Sequence, residues 1–215
     1  MTLPWRLVTV DIDGTLTVGH GWRPIAEAFG RVPEFEAANR RFARHEVGED
    51  EHLANLLNLA RGCTPAEVVE VIGRSPRLAG IGEGVAELRG AGLRTALLSH
   101  NPTFVVDWYR RRFGFDDGEG VRVPLDRSGH LADATGVRAD KPGELVHLLT
   151  RTGLAAADTV HVGDGWADAR VFPLVGGGIA VNTKLREVAE AADRSLHVSD
   201  FREVARAVLE LPRRG

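Results

Sequence analysis

Cysteine occurs once, at Cys63, so the chain can close no internal disulfide, and a reducing compartment is its natural home. Long apolar runs are missing too. Nothing approaches the roughly 18 consecutive apolar residues of a membrane span, and no signal-peptide pattern precedes the first strand-like segment. The expected location is therefore cytoplasmic, with no membrane partner. Strong charge of either sign is also absent: the net charge is −3 over 215 residues, which argues against a nucleic-acid partner. Lysine is nearly lacking. Of 27 basic residues only Lys141 and Lys184 are lysines, so the search for a catalytic ammonium narrows to these two. A hydrophobic fraction of 43% supplies a globular core, for one large domain or for a core carrying an insertion.

The stretch that organises the chain is Val8-Thr9-Val10-Asp11-Ile12-Asp13-Gly14-Thr15-Leu16-Thr17. Leu7 to Val10 reads as a short buried strand that stops where two carboxylates appear, followed by a glycine able to bend the chain. Spacing by two on a strand would point Asp11 and Asp13 the same way. At about 4 Å and an effective dielectric near 20 they would repel by roughly 4 kcal/mol. A divalent cation, or a proton held on one of them, would offset that repulsion. The plainer alternative is a solvated turn, where Asp, Gly and Thr are all common.

From Trp22 to Gly73 the pattern is helical: Arg23 to Phe29, Glu34 to Glu46, Glu51 to Arg61, and Pro65 to Ile72. Thr64-Pro65-Ala66-Glu67 forms a capping box with proline in the first turn. This block reads as an all-helical insertion, residues 18–79, between a first strand (1–17) and the rest of an α/β domain (80–215). After Gly80 helices and strands alternate. The helices are Glu83 to Arg89, a segment through Trp108 to Phe113 capped by Asn101-Pro102, Lys141 to Thr150, Trp166 to Leu174, Thr183 to Ala192, and a last one to Leu211 opened by a capping box at Asp200-Phe201-Arg202-Glu203. The strands are Arg94 to Leu98, Thr159 to Val162, Gly178 to Val181 and Leu196 to Val198. Val121 to Leu125 and Leu131 to Ala132 flank a hairpin at Ser128-Gly129. Alternation of this kind calls for a doubly wound, mainly parallel sheet covered on both faces.

In such sheets the ligand crevice lies beyond the carboxyl ends of the strands. Asp11, Ser99 and Asp164 each end an expected strand, and Lys141 opens a helix on the same side. Carboxylates for a hard cation, a hydroxyl, an ammonium and backbone amides from Gly14 and the turn after Ser99 form a set suited to a phosphoryl group. Asp11-Ile12-Asp13-Gly14-Thr15-Leu16-Thr17, Ser99, Lys141 and Gly163-Asp164-Gly165-Trp166-Ala167-Asp168 resemble the four ordered motifs of the haloacid dehalogenase-like superfamily, in particular its phosphatases. The resemblance spans nearly the whole chain. Its early helical insertion is similar to the first type of cap, in a layout like the phosphoserine phosphatase branch.

That resemblance implies roles. Asp11 would be the nucleophile forming an aspartyl-phosphate, and Asp13 the acid and then base. Mg2+ would be held by Asp11, the Asp13 main-chain carbonyl and Asp164, with Asp168 orienting metal-bound water or Lys141. Ser99 and Lys141 would bind phosphoryl oxygens, and Gly14, His100 and Asn101 would lie against the substrate. The implied partner is a small phosphorylated metabolite. Asp13 speaks against dehalogenation, since dehalogenases of the superfamily lack an aspartate two residues after the nucleophile. His20, Trp22 and Arg23, near the hinge, are the candidates for touching the leaving group, with Arg44 a further one. Two features depart from phosphoserine phosphatases: Val18-Gly19-His20-Gly21-Trp22 has no carboxylate for a substrate ammonium, and His100-Asn101 replaces the usual glycine pair. A sugar or polyol phosphate fits these departures. A phosphomutase and a catalytically silent binding protein are the alternatives.

Other features read as structural. Lys184 and Arg110-Arg111-Arg112 read as surface, Gly176-Gly177-Gly178 as a flexible connection, and His45 and His52 as polar helix positions.

Overall fold

A computed structural model describes residues 4–214 of the chain. The first strand, β1 (Leu7–Val10), is buried along its whole length, as an apolar run in the middle of a parallel sheet must be. Four helices follow it: α1 (Arg23–Ala28), α2 (Val32–Ala43), α3 (Glu49–Leu57) and α4 (Pro65–Arg74). The remainder alternates as α5 (Ile81–Gly90), β2 (Arg94–Pro102), α6 (Thr103–Phe113), β3 (Asp117–Val121), α7 (Lys141–Thr152), β4 (Thr159–Gly163), α8 (Trp166–Ala169), β5 (Gly177–Val181), α9 (Arg186–Ala191), β6 (Arg194–Leu196) and α10 (Phe201–Glu210).

The six strands form one parallel sheet in the order β3-β2-β1-β4-β5-β6. The winding direction reverses around β1, and that reversal opens a crevice at the carboxyl ends of β1 and its neighbours. β1 pairs with β2 through Val10↔Leu97 and with β4 through Thr9↔His161. The α/β class and parallel sheet expected from the alternation are what the fold contains.

The four early helices leave and rejoin the sheet through two linkers that pair with each other. Val18 N–H donates to the Pro76 carbonyl at 3.0 Å and Leu78 N–H to the Leu16 carbonyl at 2.9 Å. Their apolar faces continue one buried cluster that runs from Val8 and Val10 through Trp22, Ile25 and Phe35 to Leu53, Leu56 and Val68. They also grip the segment between β3 and α7. Gly62 N–H donates to the Leu131 carbonyl, Leu131 N–H to the Cys63 carbonyl, and Ala139 N–H to the Asp50 carboxylate at 2.7 Å.

Several expectations need correction. β3 lies at Asp117–Val121, where Asp-Gly-Glu-Gly-Val shows no strand-like alternation. Parallel pairing with β2 makes it a strand, and its glycines let Val106 of α6 pack against it. The hairpin expected at Ser128-Gly129 does form, with Leu125 bridging Leu131, Asp126 N–H donating to the His130 carbonyl and Ala132 N–H to the Pro124 carbonyl. Asn101 caps nothing: β2 continues to Pro102, and the Asn101 side chain turns toward the strand-end crevice. Asp200 caps α10 by accepting from Arg202 N–H, not through a reciprocal box with Glu203. α4 runs through Gly73 to Arg74. The helix expected from Trp166 to Leu174 is broken into α8 and a 3-10 turn at Phe172–Leu174, which holds Pro173. Gly177 and Gly178 are not a flexible connection; they are β5 residues packed against Trp5 and Phe172. His45 lies beyond α2 in a left-handed conformation. His52 stacks on Phe42 with ring centroids 4.3 Å apart.

Candidate active site

Asp11 stands one residue past β1, tied to the sheet by its N–H donating to the Val162 carbonyl at 2.9 Å. Asp164 stands one residue past β4, and Asp168 follows one turn later on α8. Carboxylate oxygens of these three residues lie within 4.8 Å of one another. Lys141 begins α7, whose N-cap residue Asp140 accepts from Gly143 N–H at 3.0 Å. Its ammonium is buried, 2.9 Å from Asp11 Oδ1 and 2.7 Å from Asp168 Oδ1. Asp168 Oδ1 also meets His161 Nε2 at 2.9 Å, while its Oδ2 accepts from Asp164 N–H at 3.0 Å and Gly165 N–H at 2.9 Å. Both oxygens of Asp168 are thus engaged by the protein.

Asp13 does not continue the strand, so the same-face reasoning fails for it. Leu16 and Thr17 N–H both donate to the Ile12 carbonyl, and this turn carries the Asp13 carboxylate to a separate partner. Asn101 Nδ2 donates to Asp13 Oδ2 at 3.1 Å and to Ser99 Oγ at 3.1 Å. Ser99 Oγ also accepts from Asn101 N–H, which leaves the hydroxyl hydrogen to donate elsewhere. Gly21 closes on Asp13 from the second side: a Cβ there would sit 1.7 Å from Asp13 Oδ1. Gly14, at φ 74°, allows the same approach by Asp164, whose Oδ2 would be 2.0 Å from a Cβ. Beside Asp13, a cavity of about 10 Å³ is lined by Ser75, Asn101 and Tyr109 among others. Its size suits one water and no substrate.

The electrostatics point to a cation. Burial pushes Asp11 up to about 6 against the pull of Lys141, and pushes Asp13 up to about 6 against its bond from Asn101. Burial, together with the charges of Asp11 and Asp168, pushes Asp164 up to about 8. Burial would raise Asp168 as well, but Lys141 and His161 hold it well below the usual carboxylate range. One ammonium therefore faces four buried or half-buried carboxyl groups. Hard oxygen donors, closely spaced and short of positive charge, fit a divalent cation of the Mg2+ type.

Of the residues expected at the site, the structure assembles Asp11, Asp13, Gly14, Ser99, Asn101, Lys141, Asp164 and Asp168. His100 follows Ser99, half-buried. Burial and the nearby Lys141 push its imidazole down to about 3, and its Nε2 has no hydrogen-bond partner. His20 precedes Gly21 and packs edge-on against Phe35 at 4.9 Å. Trp22 is buried in the apolar cluster, where it anchors the start of α1. Arg23 pairs with Glu27 on the exposed face of α1, and Arg44 is exposed near Glu46. Composition and motif reading missed His161 and its partner Thr9. A histidine inside the apolar run Val160-His161-Val162 was the available signal.

A family model described as haloacid dehalogenase-like hydrolase matches residues 5–176. The phosphoserine phosphatase of Archaeoglobus fulgidus is 27% identical over 96% of this chain, which covers 60% of that relative's length. The phosphoserine phosphatase of Methanocaldococcus jannaschii is 24% identical, with 94% of this chain and 97% of the relative covered. Among solved structures, a HAD family hydrolase from Salmonella enterica superimposes with a TM-score of 0.84 at 20% identity, covering 97% of this chain and 73% of that one. This last likeness concerns the fold. Among the described residues no helix is long and apolar enough to cross a membrane.

Proposed function

The chain belongs to the haloacid dehalogenase-like hydrolases, and from that premise we propose that it is a Mg2+-dependent phosphomonoesterase acting on a small cytoplasmic metabolite through an aspartyl-phosphate on Asp11. The observation that carries this reading is the meeting of four chain segments in one crevice, with buried Lys141 2.9 Å from Asp11 and 2.7 Å from Asp168. Residues 18–79 are read as a cap over a core made of 1–17 and 80–215.

Asp11 attacks phosphorus while the bond to the leaving oxygen breaks, and Asp13 gives its proton to that oxygen. A carboxyl group raised by burial to about 6 keeps part of its protonated form near neutrality and can take a proton back from the attacking water in the second step. Lys141 and the Ser99 hydroxyl offset charge on the phosphoryl oxygens. Asp168, with both oxygens engaged, holds Lys141 and the Asp164-Gly165 turn in place. A divalent cation held by Asp11, the Asp13 carbonyl and Asp164 would supply the positive charge that lets an anionic nucleophile approach a phosphoryl group.

The leaving group is read as an alcohol without an ammonium, such as a sugar or polyol phosphate. Residues 18–22 offer no carboxylate, and His100, pushed down to about 3, is a neutral imidazole at physiological pH. Asp11→Asn is expected to abolish hydrolysis of p-nitrophenyl phosphate while the circular dichroism spectrum is unchanged; retained turnover refutes the phosphatase reading. A screen of phosphorylated metabolites by kcat/KM tests the substrate, and a preference for phosphoserine overturns that part alone.

A further inference from the structure

We propose that His161 is a positioning residue for the reaction: by sharing Asp168 Oδ1 with Lys141, it keeps the lysine ammonium directed to Asp11 and the phosphoryl group. This rests on the roles given to Lys141 and Asp168 above.

His161 lies in β4 directly opposite Thr9 of β1 and is fully buried. Its Nε2 is 2.9 Å from Asp168 Oδ1 and its Nδ1 is 2.8 Å from Thr9 Oγ1. Asp168 Oδ2 accepts from two backbone N–H groups and its Oδ1 accepts from the Lys141 ammonium at 2.7 Å, so both oxygens act as acceptors. His161 Nε2 must therefore carry the hydrogen of its bond to Asp168. The Thr9 hydroxyl meets Nδ1 at 2.8 Å and lies 3.4 Å from the Val160 carbonyl oxygen, so it holds the ring from the side away from Asp168 and fixes its orientation. An ordered chain results: Thr9 to His161, His161 to Asp168, and Lys141 to Asp168 and Asp11.

The consequence lies in the competition at Oδ1. Asp168 Oδ2 is satisfied by two backbone N–H groups, so Oδ1 alone is divided between the imidazole and the ammonium. With the imidazole present, Lys141 meets a carboxylate oxygen whose charge is partly used. Without it, Lys141 becomes the sole donor to Oδ1 and is drawn toward Asp168, away from Asp11 and an incoming phosphoryl group. Residues that orient groups acting directly at a site commonly change activity by 10- to 100-fold when replaced.

The test compares His161→Leu, His161→Gln and Thr9→Val with the unmodified protein and with Asp11→Asn, all in saturating Mg2+. For each, kcat and KM for p-nitrophenyl phosphate and the inhibition constant of orthovanadate, a mimic of the five-coordinate transition state, are measured. His161→Leu is expected to lower kcat by about 10- to 100-fold with KM little changed, and to weaken vanadate by a similar factor. His161→Gln, whose amide N–H can reach Asp168, is expected to recover most of both. An unaltered kcat, a lowered kcat with unaltered vanadate affinity (fewer folded molecules), or glutamine no better than leucine overturns the proposal. Should His161→Leu not fold, Thr9→Val decides. It keeps the imidazole but frees its orientation, so vanadate should weaken several-fold, and unchanged affinity overturns the proposal. An inactive Asp11→Asn beside a fully active His161→Leu sinks this inference alone, whereas an active Asp11→Asn sinks the phosphatase reading itself.

Discussion

Replacing Lys141 by methionine keeps much of the side chain's volume and removes the one ammonium that faces Asp11 and Asp168. At 2.9 and 2.7 Å, an effective dielectric near 20 gives attractions on the order of 6 kcal/mol each before desolvation is subtracted. An exposed pair would be worth about 0 to 1 kcal/mol. The lysine side chain is only 3% exposed, and its partners 8% and 2%, so the buried case applies. There, removal of one partner costs about 3 to 5 kcal/mol, since the charges left behind have no compensation. For a chain of this size that is a fall in Tm of about 10 °C.

The assay is thermal unfolding in EDTA, so that no cation can replace the ammonium. The loss should be greater at pH 8 than at pH 5, because protons on the two carboxylates remove the uncompensated charge. Lys141→Met combined with Asp168→Asn should be less destabilised than the sum of the two single variants, by about 1 to 3 kcal/mol. A Tm drop below about 2 °C at pH 8, together with additive single effects, would refute the buried-pair reasoning.

Asn101→Leu removes the donor to Asp13 and Ser99. The Asp13 carboxyl should rise above its present level of about 6, and the acid limb of the kcat profile should move to higher pH, with a loss of about 10-fold at pH 6. Gly21→Ala places a methyl where Asp13 Oδ1 now sits, 1.7 Å away; displacement of the acid by about 1 Å predicts a loss of about 100-fold in kcat. Gly48→Ala, with no atom within 4 Å of the added carbon, is its control and should keep full activity. In metal-free protein, Asp164 and Glu144 are both raised to about 8 by burial, so between pH 6.5 and 8 the folded chain binds more protons than the unfolded one. Stability should therefore fall as pH rises through that window, by about 1.5 kcal/mol per group. Mg2+ should abolish the Asp164 share, and a Tm that is flat with pH in EDTA, or unmoved by Mg2+, contradicts the assignment.

Much of this protein could be read from local pattern. Leu7 to Val10 followed by Asp11, Thr159 to Val162 before Asp164, and Lys141 at a helix start are signals carried within a few residues, because a strand's burial and a helix's first turn depend on near neighbours. Asp11, Asp164 and Lys141 were legible as one site because a parallel sheet brings all strand ends to the same edge. The fold itself decided what depends on packing between distant segments. Asp117 to Val121 has no strand pattern of its own and becomes β3 through pairing with β2. Asn101 reads as a helix cap until the turn after Asp11 brings Asp13 to its amide. Trp22, a hinge residue in the sequence, joins the apolar cluster once the early helices close around it. His161 gains its partners from the register that sets it opposite Thr9, and from the turn that brings Asp168 to its Nε2. Register and side-chain direction across a sheet are set by the summed packing of the whole core, which no single stretch of residues contains.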